Sequence, residues 1–384
     1  MRIVYFSTPP FADSDFPLVR EFQRMGHEVF YFIDLPCYFL RSTLIDIKKQ
    51  IPENGIFKAS RYREFEAYKN YMELDNVYVV NRLNKSVLNP RNILIYKKLV
   101  NKIRKINPDI INIVGGIGVL SSMFLMFRKK MVLTVHDPFP HSGEQSCQRE
   151  FFRKLAMKTI PKFVLLNEKQ KNVFIETYKL KPNQICIAKL GVYDYLCNFI
   201  KQNEICNTHS KNILFFGRIS PYKGIEYLLE AMKIVHREVP EAKLIVAGGG
   251  KMYFDISPFE SLSYIDIRNH YIGTEELAGL ISEAQIVVCP YTDATQSGVV
   301  MTSFSLGIPV VATNVGGMSE TINDGENGIL VPPCNSKELA KALVRLLCNE
   351  QEIDRMRESI RRDFFNEHNW RTIAEMYIKS YQSR

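Results

Sequence analysis

The sequence predicts an α/β protein made of two doubly wound domains. Short β-rich runs alternate with helical segments along the chain, and this alternation stops once and then restarts. The chain also has 384 residues, of which 46% are hydrophobic, and this is enough for two ordinary domains with a core each.

The first domain is expected over residues 1–194. It begins with the apolar run 2–8 ("RIVYFST"), which is typical of a parallel strand covered on both faces. A helix that ends at Gly26 follows this strand. Further strands are predicted at 27–34, 77–80, 109–115, 131–137, 163–167 and 184–191.

The alternation stops at a polar stretch, which we interpret as a linker over residues 195–211. A second α/β domain is predicted over residues 212–362. Its strands are expected at 212–218, 243–250, near 269–273, and at 286–291, 309–313 and 328–333. Ligands of such sheets bind beyond the carboxyl ends of the strands, so the loops that follow each strand are where function is expected.

Composition indicates what kind of partner the protein binds and in which compartment it lies. The formal net charge of +9 and the pI near 9.0 favour phosphates, anionic lipids or nucleic acid. The eight cysteines form no C-x-x-C pair and no zinc-ligand spacing, which indicates reduced thiols in a cytosolic protein. The first ten residues are interpreted as a strand rather than a signal peptide. Residues 110–127 are uncharged, but Gly, Ser and Asn interrupt them, which favours a buried strand, turn and helix over a membrane span.

Two cations lie on the loop that follows the first strand of the second domain. In "FFGRISPYKG", Gly217 lets the backbone turn, and Arg218 and Lys223 then lie at the start of a helix. Cations are unfavourable there because a helix N-terminus already carries partial positive charge. A bound anion would remove this conflict, so we predict a diphosphate site in preference to two solvated basic residues.

The uncharged segment 294–319 follows the fourth strand of the same domain. Ser297 and Gly298 are expected to begin a helix, with the backbone N–H groups of Gly298, Val299 and Val300 free to bind an anion. Because a carboxylate here would repel phosphates, the lack of charge is itself a reason to expect a charged ligand. The alternative is a buried central helix, which accounts for the apolar residues but not for "TQSG".

Together with several longer motifs, these features resemble the retaining glycosyltransferases of family 4, which have the GT-B fold of two Rossmann-like domains facing a cleft. The motifs are "QRMGHEV", "PDIINI", "LTVHD", "GRISPYKGIEYLLEA", "LGIPVVATNVGGMSETINDGENGILVPP" and "FNEHNWRTIAEMYIKSY". The resemblance covers nearly the whole chain. It implies that the second domain binds a nucleotide diphosphate sugar, that the first binds the acceptor, and that residues 363–384 form a helix crossing back to the first domain.

The uncharged segment departs from the family pattern. Where the family usually carries two glutamates separated by seven residues, this chain has Ala294 and Thr302. The second family glutamate commonly binds the nucleotide ribose through its carboxylate. Thr302 is expected to accept one hydrogen bond in its place. The run "ATQSGV" marks a subgroup, and "STPPFADSD" lacks the usual Gly-Gly loop of the family.

The resemblance also assigns roles in the first domain, on the loop "TVHDPFPHSGE". His136 matches a family histidine near the sugar ring, which implies a role in orienting a sugar hydroxyl or positioning the acceptor. Asp137 and His141 are weaker candidates for acceptor binding, and packing is the alternative role for each histidine. Glu320 also matches a family position, or else serves as a first-turn acid that favours its helix dipole.

Two basic runs belong to the first domain. Residues 81–106 hold eight Lys and Arg and no acidic residue, and residues 149–162 interleave five cations with apolar side chains. The excess of positive charge and the partly amphipathic pattern favour binding to an anionic membrane surface over a face that is merely exposed to solvent. Nucleic acid is not expected, since no nucleic-acid-binding motif accompanies the charge.

The sequence thus predicts a retaining, metal-independent glycosyltransferase without a cofactor, peripheral on the cytoplasmic face of the membrane. It transfers a hexose from a nucleotide diphosphate sugar to a glycan acceptor, preferably lipid-linked, in polysaccharide or glycolipid synthesis. The expected catalytic residues are His136, Arg218 and Lys223. Donor binding is assigned to Gly217, Arg218, Lys223, Ser297, Gly298, Val299, Val300 and Thr302. Two alternatives stay open: a catalytically silent nucleotide-sugar-binding protein, and a GT-B enzyme that makes a small soluble glycoside.

Overall fold

The computed structural model of the chain describes residues 1–139, 146–199, 211–294 and 297–383. The chain divides into two compact units. The first combines Met1–Gly191 with the C-terminal segment from Trp370, and the second is Val192–Asn369. Each unit is an α/β layer structure around its own sheet.

The first unit is built on an eight-stranded sheet within the described residues. Its strands are β1 (Arg2–Ser7), β2 (Glu28–Pro36), β3 (Gly55–Lys58), β4 (Val77–Arg82), β5 (Ile110–Val114), β6 (Met131–Val135), β7 (Lys162–Leu165) and β8 (Ile185–Ile187). They lie in the order β3-β4-β2-β1-β5-β6-β7-β8. All neighbouring pairs are parallel except β3–β4, which is antiparallel.

Helices cover this sheet and bury their apolar faces on it. The α-helices are α1 (Ala12–Arg24), α2 (Pro90–Ile106), α3 (Cys147–Thr159) and α4 (Lys171–Tyr178). Short 3-10 helices are Pro9–Phe11, Ala59–Arg61, Arg63–Tyr68, Ser121–Lys130 and Pro182–Gln184. The longest helix, α2, begins where the Asn89 side chain accepts a hydrogen bond from the Arg91 amide and ends at Asn107 in the left-handed conformation. Leu99 and Ile103 of this helix are fully buried in the core.

The uncharged segment 110–127 contains strand β5 followed by a glycine turn and the start of a 3-10 helix. Gly115 has a φ of +82°, and a Cβ there would lie 2.5 Å from the Phe11 ring, so only glycine fits this turn. Among the described residues, no helix combines the length and the apolar character needed to cross a bilayer.

The second unit is built on a six-stranded parallel sheet within the described residues. Its strands are β9 (Asn212–Phe216), β10 (Lys243–Ala247), β11 (Ile265–Arg268), β12 (Ile286–Cys289), β13 (Val310–Thr313) and β14 (Gly328–Val331). They lie in the order β11-β10-β9-β12-β13-β14. The chain therefore adds strands on one side of β9 and then returns to its other side, so the topological switch point lies between β9 and β12.

The helices of the second unit alternate with these strands. They are α5 (Ile225–Glu238), α6 (Ser257–Glu260), α7 (Thr274–Glu283), α8 (Gly298–Ser305), α9 (Met318–Thr321), α10 (Ser336–Leu347), α11 (Glu350–Ser359) and α12 (Phe365–Glu367). Short 3-10 helices are Asp194–Phe199 and Pro221–Lys223, and Ile360–Phe364 forms a π-helical turn. The strand predicted near 269–273 is wrong, because β11 ends at Arg268.

The C-terminal helix α13 (Trp370–Gln382) belongs to the first unit. It packs on α1, where the Phe22 ring centroid lies 6.1 Å from that of Tyr377 and 5.9 Å from that of Tyr381. The predicted start at 363 is seven residues too early: residues up to Asn369 belong to the second unit, and α13 begins at Trp370 after a break at residues 368–369. The predicted linker begins inside the 3-10 helix Asp194–Phe199, and its residues 200–210 lie outside the described part of the chain.

A buried carboxylate of α1 lies against the central strands β1 and β2 of the first unit. Asp15 is 1% exposed and accepts hydrogen bonds from the Tyr5 hydroxyl at 2.8 Å and the Tyr31 hydroxyl at 3.2 Å. Burial raises the pKa of Asp15 to about 7, and the hydrogen bonds act in the opposite direction. The folded state therefore binds the Asp15 proton more tightly than the unfolded chain does.

This predicts a pH dependence of stability. The stabilisation by protonated Asp15 is complete below the ordinary aspartate pKa near 4. It declines as pH rises towards about 7, by at most about 1.4 kcal/mol per pH unit. Asp15→Asn, which stays neutral, should flatten this part of the profile when unfolding in urea is measured from pH 4 to 8. A profile as steep as that of the wild type in Asp15→Asn would contradict the prediction.

Candidate functional site

The loop after β9 is fixed by glycines that allow close backbone contact. Gly217 has a φ of +120°, and its N–H donates to the carbonyl of Ala247 at 3.0 Å. A Cβ on the neighbouring Gly248 would lie 1.9 Å from the Gly217 carbonyl oxygen. The loops after β9 and β10 therefore meet at a distance that only glycine permits.

The same loop also packs against the loop after β12. Gly224 has a φ of +61°, and a Cβ there would lie 2.1 Å from the carbonyl oxygen of Pro290. The Thr292 amide donates to the carbonyl of Tyr222 at 2.8 Å. These contacts place Lys223, which precedes Gly224, at the switch point between β9 and β12.

Lys223 is a buried cation. Its residue is 9% exposed, and its Nζ lies 3.7 Å from the centroid of the Tyr291 ring, a cation–π distance. Burial lowers the pKa of Lys223 to about 8; the neighbouring Cys289 acts in the opposite direction, and the Arg218 cation makes a smaller contribution that lowers it. Arg218 itself is exposed. The two predicted cations thus influence one another, and Lys223 carries its charge at a cost that a bound anion would offset.

Helix α8 begins beside this lysine. Ser297 is its N-cap residue, but the Ser297 side chain makes no capping hydrogen bond, and its Oγ lies 3.4 Å from the Tyr291 hydroxyl. The amide of Val300 donates to the Ser297 carbonyl at 3.1 Å, so the prediction that this amide is free is wrong. Within the described residues, the amides of Gly298 and Val299 have no acceptor and remain available.

The structure brings these predicted residues together. A Cβ on Gly217 would lie 3.7 Å from Cγ2 of Val299, and the Tyr291 side chain contacts both Lys223 and Ser297. One buried cation and two available helix amides therefore surround one location at the carboxyl edge of the sheet. Such an arrangement can bind an anion and stabilise negative charge that develops on it.

The predicted contact from Thr302 is only partly available. Its hydroxyl donates to the carbonyl of Gly298 at 2.8 Å, and the residue is 4% exposed. The hydroxyl proton is therefore used within the helix, and any further contact would use the oxygen as an acceptor. Ala294 is buried, and its carbonyl oxygen lies 1.5 Å from where a Cβ of Gly316 would be. Thr295 and Gln296 lie outside the described residues.

The candidates of the first unit lie in the loop after β6. His136 is partly buried, and its ring centroid lies 4.6 Å from that of Phe11. Burial lowers the pKa of His136 to about 4, while the Asp137 carboxylate acts in the opposite direction, so the imidazole is neutral at pH 7. Asp137 is exposed, and His141 lies outside the described residues. Glu320 lies in the first turn of the short helix α9.

Two tyrosines were missed by the sequence reasoning. Tyr291 lies under Lys223, and the ring of Tyr193 lies against the first residue of α8, with Cε2 3.1 Å from where a Cβ of Gly298 would be. Tyr291 is the last residue of the predicted strand 286–291, and this position at a strand end was a usable signal, whereas Tyr193 is distant in sequence and gave none. The part of the chain that the structure describes has no group of three or more His, Cys, Asp or Glu side chains arranged to hold a metal ion.

The fold and this site define a class of protein. Solved structures similar to this chain include a glycosyltransferase from Rickettsia africae, with a TM-score of 0.67, 18% identity and coverage of 99% of this chain and 97% of that one. Another is HepE from Anabaena in complex with UDP-glucose, with a TM-score of 0.71, 15% identity and full coverage of both chains. The chain therefore has the α/β fold of two Rossmann-like domains known as GT-B.

Sequence comparison relates the chain to glycosyltransferases. Residues 210–349 match the family model described as glycosyl transferases group 1. The chain is 26% identical over 290 residues to an uncharacterized glycosyltransferase of Haemophilus influenzae, covering 74% of this chain and 80% of that protein. It is 30% identical over 150 residues to the alpha-D-kanosaminyltransferase of Streptomyces kanamyceticus, covering 38% and 39% respectively. The chain thus spans well under half of this second relative.

One prediction separates an anion site from a purely structural helix start. Gly298→Asp should weaken UDP binding by at least about tenfold relative to Gly298→Ala, because it places a carboxylate beside the amides that would hold phosphate. Alanine adds only a methyl group, which meets Tyr193 at 3.1 Å. Calorimetric affinity for UDP should be measured beside the melting temperature for both variants. Equal losses of stability and binding, with no effect specific to UDP, would favour the structural role.

Proposed function

We propose that this protein is a retaining glycosyltransferase of family 4 that transfers a hexose from a nucleotide diphosphate sugar to a lipid-linked glycan acceptor. One observation carries the proposal. The buried Lys223 cation lies beside two available amides at the start of α8, at the switch point of the sheet in the second unit. A diphosphate supplies the anion that this arrangement lacks.

The proposed chemistry follows from the charge that the reaction creates. When the sugar leaves, negative charge grows on the β-phosphate of the nucleotide diphosphate. Lys223, Arg218 and the amides of Gly298 and Val299 would stabilise that charge without a metal ion. The acceptor hydroxyl would attack from the face that the phosphate leaves, and the leaving phosphate would take its proton. His136, being neutral, would orient a sugar hydroxyl by hydrogen bonding.

The nature of the donor is supported by two similar structures. HepE was solved with UDP-glucose, and a complex with UDP and glucose has a TM-score of 0.71 to this chain. We extend the nucleotide diphosphate to this chain because the buried cation and free amides fit it. Thr302 would contact the ribose only as an acceptor, because its hydroxyl proton is donated to the Gly298 carbonyl.

Binding and hydrolysis of candidate donors test this function. UDP, GDP and their sugars are compared by thermal shift, since a ligand held only by the folded state raises stability by about 2.7 kcal/mol at a hundredfold excess over its Kd. Slow hydrolysis of the binding donor, followed by time-resolved NMR, should release the sugar with its anomeric configuration kept. Failure of all donors to raise the melting temperature would refute the proposal. Tight binding without hydrolysis or transfer would favour the catalytically silent alternative.

A membrane-bound acceptor is supported by the exposed face of α2. Lys97, Lys98 and Lys105 are exposed, and Leu94 on the same helix is 53% exposed. Cations beside exposed apolar side chains suit an anionic lipid surface. We propose that this face holds the protein on the cytoplasmic side of the membrane.

We therefore expect the protein to sediment with anionic liposomes at low salt and to be released at high salt, because exposed charges are screened. Changing Lys97, Lys98 and Lys105 to Gln should weaken sedimentation. The matched control changes three exposed lysines of the second unit, Lys243, Lys337 and Lys341, to Gln and should sediment like the wild type. Equal binding to neutral and anionic liposomes would contradict the electrostatic explanation.

A further inference from the structure

The side chain of Tyr193 lies beside the start of helix α8 and has no role in the proposed mechanism so far. The ring of Tyr193 lies against Gly298, with Cε2 3.1 Å, the hydroxyl oxygen 3.5 Å and Cζ 3.7 Å from where a Cβ of Gly298 would be. In an α-helix the Cα–Cβ bond tilts towards the N-terminus. The Tyr193 hydroxyl therefore lies close to the first residue of α8, whose amide is one of the two that an anion would meet.

The neighbouring structure holds Tyr193 in this position. The amide of Val192 donates to the carbonyl of His368 at 3.3 Å, and the 3-10 helix Asp194–Phe199 follows at once. That helix packs on α8, where the Cys197 Sγ lies 3.4 Å from the carbonyl oxygen of Ser305. Tyr195 of the same helix is buried. Tyr193 is thus fixed from both sides, as a side chain that positions a ligand must be.

The chemistry of the location favours a hydrogen-bond donor. The bond from the Val300 amide to Ser297 leaves two helix amides instead of three for a bound anion. The phenol hydroxyl of a tyrosine can donate a hydrogen bond. Hydrogen bonds to a charged phosphate are stronger than those between neutral groups. The glycine at position 298 lets the ring lie close to the helix, since a Cβ there would already meet the Tyr193 ring at 3.1 Å.

We propose that Tyr193 is a donor-binding residue whose hydroxyl donates a hydrogen bond to the diphosphate of the nucleotide sugar. The ring forms one side of the diphosphate site, at the first residue of α8. This inference rests on the proposed function, since it assigns a further ligand to the same site.

The test compares UDP with uridine, which lacks the phosphates. Tyr193→Phe keeps the ring and removes the hydroxyl, and it should weaken UDP binding by roughly tenfold or more, the loss typical of a hydrogen bond to a charged group. Its affinity for uridine should be unchanged. Tyr264→Phe is the matched control. Tyr264 immediately precedes β11, so it lies at the amino ends of the parallel strands, whereas the site lies at their carboxyl ends. That variant should bind UDP like the wild type.

The other outcomes are distinct. If Tyr193→Phe binds UDP as the wild type does, the hydroxyl is not a ligand and the inference is overturned. If Tyr193→Ala binds UDP more tightly than the wild type, the ring blocks the site and the inference is overturned as well. If wild-type protein binds neither UDP nor GDP, the proposed function fails, and this result is separate from any effect of Tyr193. Should GDP alone bind, the same comparison is made with GDP and guanosine.

Discussion

Replacing Lys223 by Met should lower the turnover of the nucleotide-sugar donor by about two to three orders of magnitude, with the fold retained. The reason is that a preorganised charge facing the leaving phosphate contributes about 3 kcal/mol to the transition state. Methionine keeps the aliphatic stem that packs on Tyr291 and removes only the charge. Donor hydrolysis under saturating donor gives kcat directly, beside the melting temperature.

The matched control is another lysine of the second unit that lies over an aromatic ring. Lys233 Nζ lies 4.5 Å from the centroid of Phe259 and pairs with Glu230, on the exposed side of α5. Lys233→Met should keep wild-type turnover. If Lys223→Met and Lys233→Met behave alike, the lysine at the switch point has no special role in catalysis.

The same lysine gives a proton signature of binding. Its pKa is about 8 without ligand, so near pH 8 about half of the molecules carry the proton. A bound diphosphate favours the charged form and raises that pKa, so binding at pH 8 should take up a proton from the buffer. Calorimetry in buffers of different ionisation enthalpy measures this uptake, and it should be absent in Lys223→Met.

A second large effect is expected in the first unit, on stability. Asp34→Asn should lower the free energy of unfolding by about 3–5 kcal/mol, because it leaves the Arg82 cation buried without its counter-charge. The guanidinium contacts both carboxylate oxygens of Asp34 at 2.8 Å, and the two side chains are 5% and 7% exposed. Urea unfolding followed by circular dichroism measures the change.

The double variant Asp34→Leu/Arg82→Met is the control for this pair. It removes both charges, so it should be less destabilised than Asp34→Asn alone, since apolar groups of similar size replace a buried ion pair at little cost. A loss below about 1 kcal/mol in Asp34→Asn would place the pair among solvent-screened salt bridges and contradict the prediction.

Much of the fold follows from local sequence pattern. Strands such as β1 and β12 are continuous apolar runs, so their positions are visible without tertiary information. Strand β3 was missed because it is a short antiparallel edge strand whose residues are only partly buried. Strand β11 was misplaced because its side chains alternate between apolar and charged at the sheet edge.

The site was predictable as a set of loops but not in its hydrogen bonds. Gly217 and Lys223 follow a strand, and Gly298 begins a helix, so sequence order was enough to bring them to one edge of the sheet. The bond from the Val300 amide to Ser297 depends on a tight first turn that composition does not encode. The same holds for Thr302, whose hydroxyl bonds within its helix. Tyr193 reaches α8 only through tertiary packing.

The placement of α13 has a consequence for the order in which the protein can fold during synthesis. The sheet of the first unit is complete once β8 has emerged, but Tyr377 and Tyr381, which cover Phe22 on α1, are made only after the entire second unit. Until then, the nascent first unit exposes an apolar face to solvent and chaperones. The second unit is an insertion into the first, and the hydrogen bond between Val192 and His368 joins its two ends. Folding of that insertion brings its two ends together, so that α13 can then pack on α1.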